Sequence, residues 1–149
     1  MLTIKKILCP VDFSEPSMQG LETAIDLAGR FGAEIEVLYV LPVLPPQPYD
    51  PNSTFQVPEY EGLLHKDAEE RLSVIVKDKV PAGIKATALI GHGSAGKEIV
   101  KFAEETKADL IVIASHGHGG WHHLIMGSVA EKVVRHSTCP VFIIRAPHP

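Results

Sequence analysis

Five short apolar runs, separated by segments with helical periodicity, limit the folds open to this chain more than any other feature of its sequence. Apolar strands that alternate with helices pair in parallel, because each helix carries the chain back to the same end of the sheet. Right-handed crossovers then produce an open, doubly wound α/β sheet with helices on both faces. The expected strands are Ile7–Val11, Glu34–Leu41, Lys85–Ile90, Leu110–Ala114 and Val141–Ile144.

Helix-end signals lie between the expected strands. Ser14 can cap a first helix and Gly32 can end it, while Ser94 can cap a third. Apolar residues at helical spacing predict a second helix over Glu61–Val80 and a fourth from about Gly127 to His136. The four helices thus fill the four intervals between strands.

A proline-rich segment, Pro42–Pro58, follows the second strand and holds six of the chain's 12 prolines. Proline lacks a backbone N–H donor and clashes with the preceding helical turn, so this segment can form neither a regular helix nor a central strand. We expect a surface excursion here, within a single domain that spans residues 1–149.

The composition excludes several classes of protein. With 45% apolar and 21% charged residues, the chain does not have the composition of a disordered protein. A net charge of −4 without a basic block argues against nucleic acid as a partner. No apolar run approaches the ~20 residues of a membrane span, and the N-terminus has no signal-peptide pattern, so no membrane association is expected. Cys9 and Cys139 lie in apolar runs, as reduced core thiols do, which favours a cytoplasmic location.

The segment Gly91–Glu98 (GHGSAGKE) contains G-x-G-x-x-G and G-x-x-x-x-G-K between an expected strand and an expected helix. A P-loop needs Ser or Thr after its lysine to hold magnesium, and Glu98 stands there instead. A dinucleotide site needs an acidic residue after the next strand, where this chain has Ser115 and His116. We therefore interpret the segment as a flexible turn with Ser94 as the helix N-cap.

The loop after the most apolar strand is a stronger candidate for a binding site. It runs from Ser115 to Met126 and leads to Gly127 and Ser128 at the start of the fourth helix. Glycines let backbone N–H groups approach an anion, and a helix N-terminus adds unpaired donors and partial positive charge. These residues predict an anion site built from backbone donors, with help from His116 if it is protonated. The alternative is a glycine-rich loop with Ser128 as a plain N-cap.

Three parts of the sequence together resemble the universal stress protein family. The most specific is Ser115-His116-Gly117, nine further residues, then GSVAEKVVRHSTCPVFII over residues 127–144. The others are ILCPVDFS over residues 7–14 and ADLIVI over 108–113, so the similarity covers nearly the whole chain. It implies a Rossmann-like, five-stranded parallel sheet of order 3-2-1-4-5, with the switch point between strands one and four.

The resemblance also implies an adenine-nucleotide site at that switch point, occupied by ATP, ADP or AMP, with Mg²⁺ carried by the nucleotide. Asp12 would hold a ribose hydroxyl or the magnesium, and Val40 would present its backbone to the adenine edge. From the residues alone, the alternative for Asp12 is a carboxylate bonded to N–H groups of its own turn. The implied nucleotide-binding residues are Pro10, Val11, Asp12, Val40, Ala114, Ser115, His116, Gly117, Gly120, Gly127, Ser128 and Val129.

Two functions follow from the resemblance. The nucleotide-binding branch of the family carries G-x-x-G-(nine residues)-G-[ST], and Ala114 replaces the first of these glycines here. The main hypothesis is a homodimeric, ATP-binding regulator of the stress response; the alternative is a dimeric interaction protein of the branch that binds no nucleotide. No convincing nucleophile–base pair is evident, so at most slow ATP hydrolysis is expected.

Two further features bear on partners and metals. Val141–Ile144 would form a bare sheet edge, and family members commonly dimerise by joining these strands, so we expect a homodimer. The 115–126 loop contains four histidines but no cysteine or carboxylate, so no metal site is expected there. These histidines are His116, His118, His122 and His123.

Overall fold

Five parallel strands and four helices make up the computed structural model, which describes residues 1–54, 56–117 and 126–145. The strands are β1 (Lys6–Pro10), β2 (Glu34–Leu41), β3 (Ala86–His92), β4 (Leu110–Ala114) and β5 (Val141–Ile144). The helices are α1 (Glu15–Phe31), α2 (Val57–Lys79), α3 (Ala95–Thr106) and α4 (Ser128–His136). The strands form one sheet of order β3-β2-β1-β4-β5, which confirms the predicted topology.

The ends of α1 form as their residues predict. The Ser14 hydroxyl oxygen accepts a hydrogen bond from the backbone N–H of Ser17 at 3.3 Å. Gly32 ends the helix with a φ of 66°, a left-handed conformation that glycine adopts without a Cβ clash. Ser94 is the N-cap residue of α3, as predicted, but its side chain makes no capping hydrogen bond to a described residue.

The proline-rich excursion is shorter than predicted, because α2 begins at Val57 rather than at Glu61. Pro58 lies in the first turn of this helix, where a missing N–H donor breaks no intrahelical bond. Residues 42–54 and 56 form no helix or strand, as expected for a surface excursion.

The strand β3 runs to His92, beyond its predicted end at Ile90. Gly91 is buried and pairs with Val40, and a Cβ on Gly91 would lie 3.0 Å from the ring of Phe102. The interpretation of this segment as a flexible turn is therefore wrong at its first end, where Gly91 and His92 belong to β3, whereas α3 follows Ser94 as predicted. The glycine is needed for close packing, since the ring leaves little room for a side chain.

Successive strand side chains point to opposite faces of the sheet and build two apolar layers. One layer contains Ile7 and Cys9 with side chains of α1 and α2, and the other contains Leu8 with side chains of α3 and α4. Burying one large aliphatic side chain contributes about 1.5–3 kcal/mol to the stability of the fold. The largest fully buried side chains include Ile7, Leu8, Leu21, Ile35, Leu38, Leu72, Ile99 and Ile111.

Both cysteines are free thiols. Cys9 is fully buried on β1, and burial raises its pKa to about 12, so this thiol stays protonated at neutral pH. Cys139 is half-buried against the α3–α4 layer. The prediction of core thiols is confirmed for Cys9 and only partly so for Cys139.

The strand order creates a crevice between β1 and β4. These strands are neighbours, with Ile7 opposite Leu110 and Leu8 opposite Ile111. The helix that follows β1 packs on one face of the sheet, whereas the helix that follows β4 packs on the other. The two connections therefore diverge at the carboxyl ends of the strands, which is where ligands bind in doubly wound sheets.

Candidate functional site

A cavity of about 470 Å³ opens at this divergence, a size typical of small-molecule sites. It brings together every sequence-predicted site residue that the structure describes; Gly120 lies outside the described residues. None of its described lining residues is a lysine or an arginine, as the sequence predicts for a site built on backbone donors. These predicted lining residues are Pro10, Val11, Asp12, Val40, Ala114, Ser115, His116, Gly117, Gly127, Ser128 and Val129.

The cavity also has an apolar wall that the sequence reasoning missed. Leu38, Ile99 and Ile113 reach it from β2, α3 and β4, and all three belong to the α3–α4 layer. They read as ordinary core positions in the sequence, because the pattern of a buried residue does not show whether a cavity lies beside it. The other missed lining residues are Ser17, Ala95 and Ala130.

Asp12 is fixed at the cavity edge by its own turn. Its Oδ1 accepts hydrogen bonds from the backbone N–H of Ser14 at 3.0 Å and from the Ser14 hydroxyl. Its own N–H donates to the Ser17 hydroxyl oxygen at 3.2 Å. The alternative predicted for Asp12, a carboxylate bonded within its own turn, is thus present and accounts for Oδ1. These bonds leave the carboxylate no free rotation.

The second oxygen of Asp12 lies against the loop that follows β4. A Cβ on Gly117 would overlap Oδ2 of Asp12 and would lie 3.1 Å from its Cγ. Glycine at 117 therefore allows the turn after β1 and the loop after β4 to touch directly. Both residues line the cavity, so this contact joins the part of its wall that follows β1 to the part that follows β4.

A strained residue follows Asp12. Phe13 has a φ of +65°, which is rare for an aromatic residue and costs about 1–3 kcal/mol. Its ring packs against Tyr39 of β2, with 4.5 Å between ring centroids. The guanidinium carbon of Arg71, from α2, lies 4.1 Å from the centre of the Phe13 ring, a cation–π contact. These contacts hold the turn in its strained shape.

Gly127 closes the loop on the protein itself. Its N–H donates to the carbonyl oxygen of Ser115 at 2.6 Å, and a Cβ on Gly127 would lie 3.0 Å from that oxygen. Its amide is therefore satisfied within the chain and does not face an anion, although the sequence predicts a site built from the backbone donors of this loop. The glycine serves close approach of the two ends of the loop.

The N-terminus of α4 supplies the open donors. Gly127 is the N-cap residue, so the alternative that makes Ser128 a plain N-cap is wrong; glycine has no side chain with which to cap. The first intrahelical bond runs from the N–H of Glu131 to the carbonyl of Gly127. The N–H groups of Ser128, Val129 and Ala130 therefore have no acceptor within the helix, and all three residues line the cavity.

His116 contributes a ring nitrogen that is not satisfied. Its Nδ1 lies 3.0 Å from the Ser115 hydroxyl oxygen. Its Nε2 is buried and has no hydrogen-bond partner among residues 1–54, 56–117 and 126–145. Burying such a group without a partner has a cost in free energy, as expected where a ligand or a rearrangement completes the bonding.

Ala114 points away from the apolar wall of the cavity. Because strand residues alternate, its side chain faces α1, on the opposite side of the sheet from Ile113. A Cβ added to Gly20 of α1 would lie 3.8 Å from the methyl group of Ala114. The methyl group is therefore accommodated beside a glycine of α1, and Ala114 borders the cavity through the end of its strand.

The described part of the chain contains neither a cluster of three or more metal-ligating side chains nor a membrane-spanning helix. No group of three or more His, Cys, Asp or Glu side chains there is arranged to hold a metal ion. The loop histidines His118, His122 and His123 lie outside the described residues, so the expectation about them stays a prediction. None of the described helices is both long and apolar enough to cross a bilayer.

Comparisons with known proteins agree with this fold. The model of the universal stress protein family matches residues 3–145. The chain is 34% identical to the universal stress protein MJ0531 of Methanocaldococcus jannaschii, over 96% of this chain and 83% of that protein. The solved structure of MJ0577, from the same organism, has a TM-score of 0.81 at 28% identity, with 99% of each chain covered. A universal stress protein from Archaeoglobus fulgidus, solved in complex with dAMP, has a TM-score of 0.60 at 24% identity, with 97% of this chain and 99% of that one covered.

Proposed function

Because this chain belongs to the universal stress protein family, we propose that it is an ATP-binding member that acts as a homodimeric, nucleotide-dependent regulator of the stress response in the cytoplasm. One observation carries this proposal. The cavity at the switch point is lined both by an apolar wall and by the N-terminus of α4, which has no side-chain cap. That combination fits a ligand with an aromatic base and an anionic tail.

The apolar part of the cavity lining and the start of α4 fit different parts of a nucleotide. The adenine would lie against Leu38, Val40 and Ile99, which offer apolar contact and, at the end of β2, backbone groups for its polar edge. The phosphates would accept hydrogen bonds from the N–H groups of Ser128 and Val129. Charge-assisted bonds of this kind need no lysine, because the helix N-terminus carries about half a positive charge.

Asp12 is the residue that fits a nucleotide-bound Mg²⁺. Mg²⁺ in nucleotide sites is held by one or two carboxylates, phosphate oxygens and water, and Asp12 is the carboxylate of the cavity wall. With Oδ1 bonded to Ser14, the carboxylate has a fixed orientation toward the β4 loop. When bound, the ion would neutralise phosphate charge in a cavity that has no cationic side chain among its described lining residues.

The dAMP complex of the Archaeoglobus protein supports an adenine nucleotide, since the fold in that protein holds one. Ala114 is the observation that favours the alternative, a family member that works without a nucleotide. Two facts weigh against that alternative: the Ala114 side chain faces α1 rather than the apolar wall, and the cavity remains open beside it. The ATP-binding hypothesis is therefore the one that the geometry supports best.

The proposed dimer would form through β5. This strand ends the sheet within the described residues, and Phe142 on it is 45% exposed. An unpaired apolar edge favours pairing with a second copy of the same edge about a two-fold axis. Sedimentation of wild type against Phe142→Glu tests this: the variant should shift to monomer, and an unchanged mass would exclude the β5 interface.

A pair of variants at Ser128 tests the nucleotide site. Proline is well tolerated as the first residue of a helix, and Gly127, with φ −72° and ψ 163°, already has a conformation that suits the residue before proline. Ser128→Pro removes both a backbone donor and the hydroxyl, whereas Ser128→Ala removes the hydroxyl alone. A charge-assisted hydrogen bond contributes about 1.5–3 kcal/mol, so Ser128→Pro should bind ATP roughly 10- to 150-fold more weakly than Ser128→Ala.

Isothermal titration with ATP and Mg²⁺ is the measurement, with circular dichroism to confirm that both variants are folded. Equal affinities for Ser128→Pro and Ser128→Ala would show that the α4 amide is not a phosphate ligand. No heat from folded wild-type protein at millimolar ATP would refute nucleotide binding itself and leave the interaction protein as the better hypothesis. Mass spectrometry of small molecules released from denatured protein would identify ATP, ADP or AMP as the resident ligand.

A further inference from the structure

Two histidines from distant parts of the chain meet at the β3 edge of the sheet. His65 lies on α2, and His92 is the last residue of β3. Nδ1 of His65 lies 2.9 Å from Nε2 of His92. The two ring planes are within 5° of parallel, and the ring centroids are 4.9 Å apart. One nitrogen of each ring therefore lies within hydrogen-bond distance of a nitrogen of the other.

A carboxylate fixes the proton of one ring. Glu69, one helical turn beyond His65, places its Oε1 3.2 Å from Nε2 of His65. This contact favours the tautomer of His65 in which Nε2 carries the proton and Nδ1, on the His92 side, keeps its lone pair. An outer carboxylate that orients a histidine in this way is a regular feature of metal sites, where it also raises the basicity of the ligand nitrogen.

We propose that His65 and His92 form a binding site for a divalent transition-metal ion, Cu²⁺ or Ni²⁺, with water completing the coordination. With metal–nitrogen bonds of about 2.0–2.1 Å, a nitrogen separation of 2.9 Å corresponds to an N–metal–N angle of about 90°. That is the angle between adjacent ligands in the tetragonal geometry that Cu²⁺ and Ni²⁺ prefer. Tetrahedral Zn²⁺ would need a wider separation.

The surroundings of the pair suit an open site rather than a closed one. His92 is exposed and the His65 side chain is 36% exposed, so water can occupy the remaining coordination positions. No third protein ligand joins them among the described residues, which argues against a closed structural zinc site. Without metal, the same pair is held by a direct N–H···N hydrogen bond. Binding requires that the proton on His92 move from Nε2 to Nδ1, and that the two rings turn so that both nitrogens face a metal ion lying to one side of the line that joins them.

The test is titration of untagged, metal-free, full-length protein with CuCl₂ alone, followed by calorimetry and by electron paramagnetic resonance. The wild type should bind one Cu²⁺ in its tightest step, with a spectrum that shows coupling to imidazole nitrogen. His65→Ala and His92→Ala should each lose this step. Glu69→Gln should keep it with about tenfold weaker affinity, the loss expected when an outer-shell partner is removed.

Two control variants separate this pair from the other histidines. His136→Ala changes an exposed histidine on α4, and a triple change of His118, His122 and His123 to alanine removes the loop histidines. Both controls should retain the tightest Cu²⁺ step. Loss of that step in either control, its persistence in His92→Ala, or its absence from folded wild type would overturn the proposal. No nucleotide is added, and His65 and His92 do not line the proposed nucleotide cavity, so the outcome is independent of ATP binding.

Discussion

Gly117→Ala is the substitution whose effect follows most directly from the site geometry. The φ angle of Gly117 lies outside the left-handed region, since Gly32 and Gly93 are the only described glycines with positive φ. An alanine is therefore not strained by its backbone conformation. Its Cβ would instead overlap Oδ2 of Asp12. Either the carboxylate rotates or the loop moves away from the turn after β1.

Rotation of the carboxylate would break the bonds from Ser14 to Oδ1 of Asp12. Each of these two hydrogen bonds to a charged group contributes about 1.5–3 kcal/mol, and solvent at this half-buried position compensates for about half of their combined loss. We expect Gly117→Ala to lower the free energy of unfolding by about 1.5–3 kcal/mol. We also expect it to weaken ATP binding about tenfold or more, which corresponds to a loss of about 1.4 kcal/mol.

A double-mutant cycle with Asp12→Ala identifies the cause. If the cost comes from the Asp12 carboxylate, Gly117→Ala in the Asp12→Ala background should change stability by less than about 0.5 kcal/mol. Gly62→Ala is the matched control, because a Cβ on this α2 glycine would meet nothing within 4 Å. It should stabilise the protein by about 0.5–1 kcal/mol through helix propensity. Urea unfolding measures all four variants, and an equal cost of Gly117→Ala in both backgrounds would refute the reasoning.

Three further predictions follow from the site, the core and the sheet. Ala114→Gly should leave the affinity for ATP within about threefold of wild type in calorimetry, because the lost methyl group lies on the α1 side of the sheet; a tenfold gain would show that Ala114 restricts binding. In folded protein, Cys139 should react with an aromatic disulfide reagent while Cys9, with its pKa raised to about 12 by burial, should not react until unfolding; rapid modification of both would contradict the described core. Lys85 and Lys6 lower the pKa of Glu34, so this carboxylate contributes stability that is present above its ordinary pKa and lost as pH falls through its lower folded value. Glu34→Gln should therefore lower the stability at pH 7 more than at pH 3, and an equal effect at both pH values would refute the ion-pair account.

The architecture and much of the candidate site could be predicted from the sequence, because both depend on short sequence patterns. Apolar runs such as Leu110–Ala114 are too short for helices and too apolar for an exposed position, so they specify buried parallel strands. The family motif then located the residues around the cavity. Boundaries were less certain, as at Gly91, because an isolated glycine looks the same in a turn as in a tightly packed strand end.

Other features of the site depend on contacts that no local pattern encodes. The carbonyl of Ser115 satisfies the amide of Gly127 across a long loop, so the sequence could not show which amides remain open. His65 and His92 are 27 residues apart and belong to no short motif. Their encounter depends on where α2 packs along the sheet, which is decided by the whole core rather than by neighbouring residues.

The strained Phe13 has a consequence for how a ligand would be received. Its ring is clamped by Arg71 and Tyr39, which come from two other elements, before any ligand arrives. The wall that carries Asp12 is therefore preorganised, and association need not spend entropy on ordering it. Loss of the Arg71 or Tyr39 contact with Phe13 would leave the fold intact, but the turn that carries Asp12 would then have to become ordered each time a ligand binds.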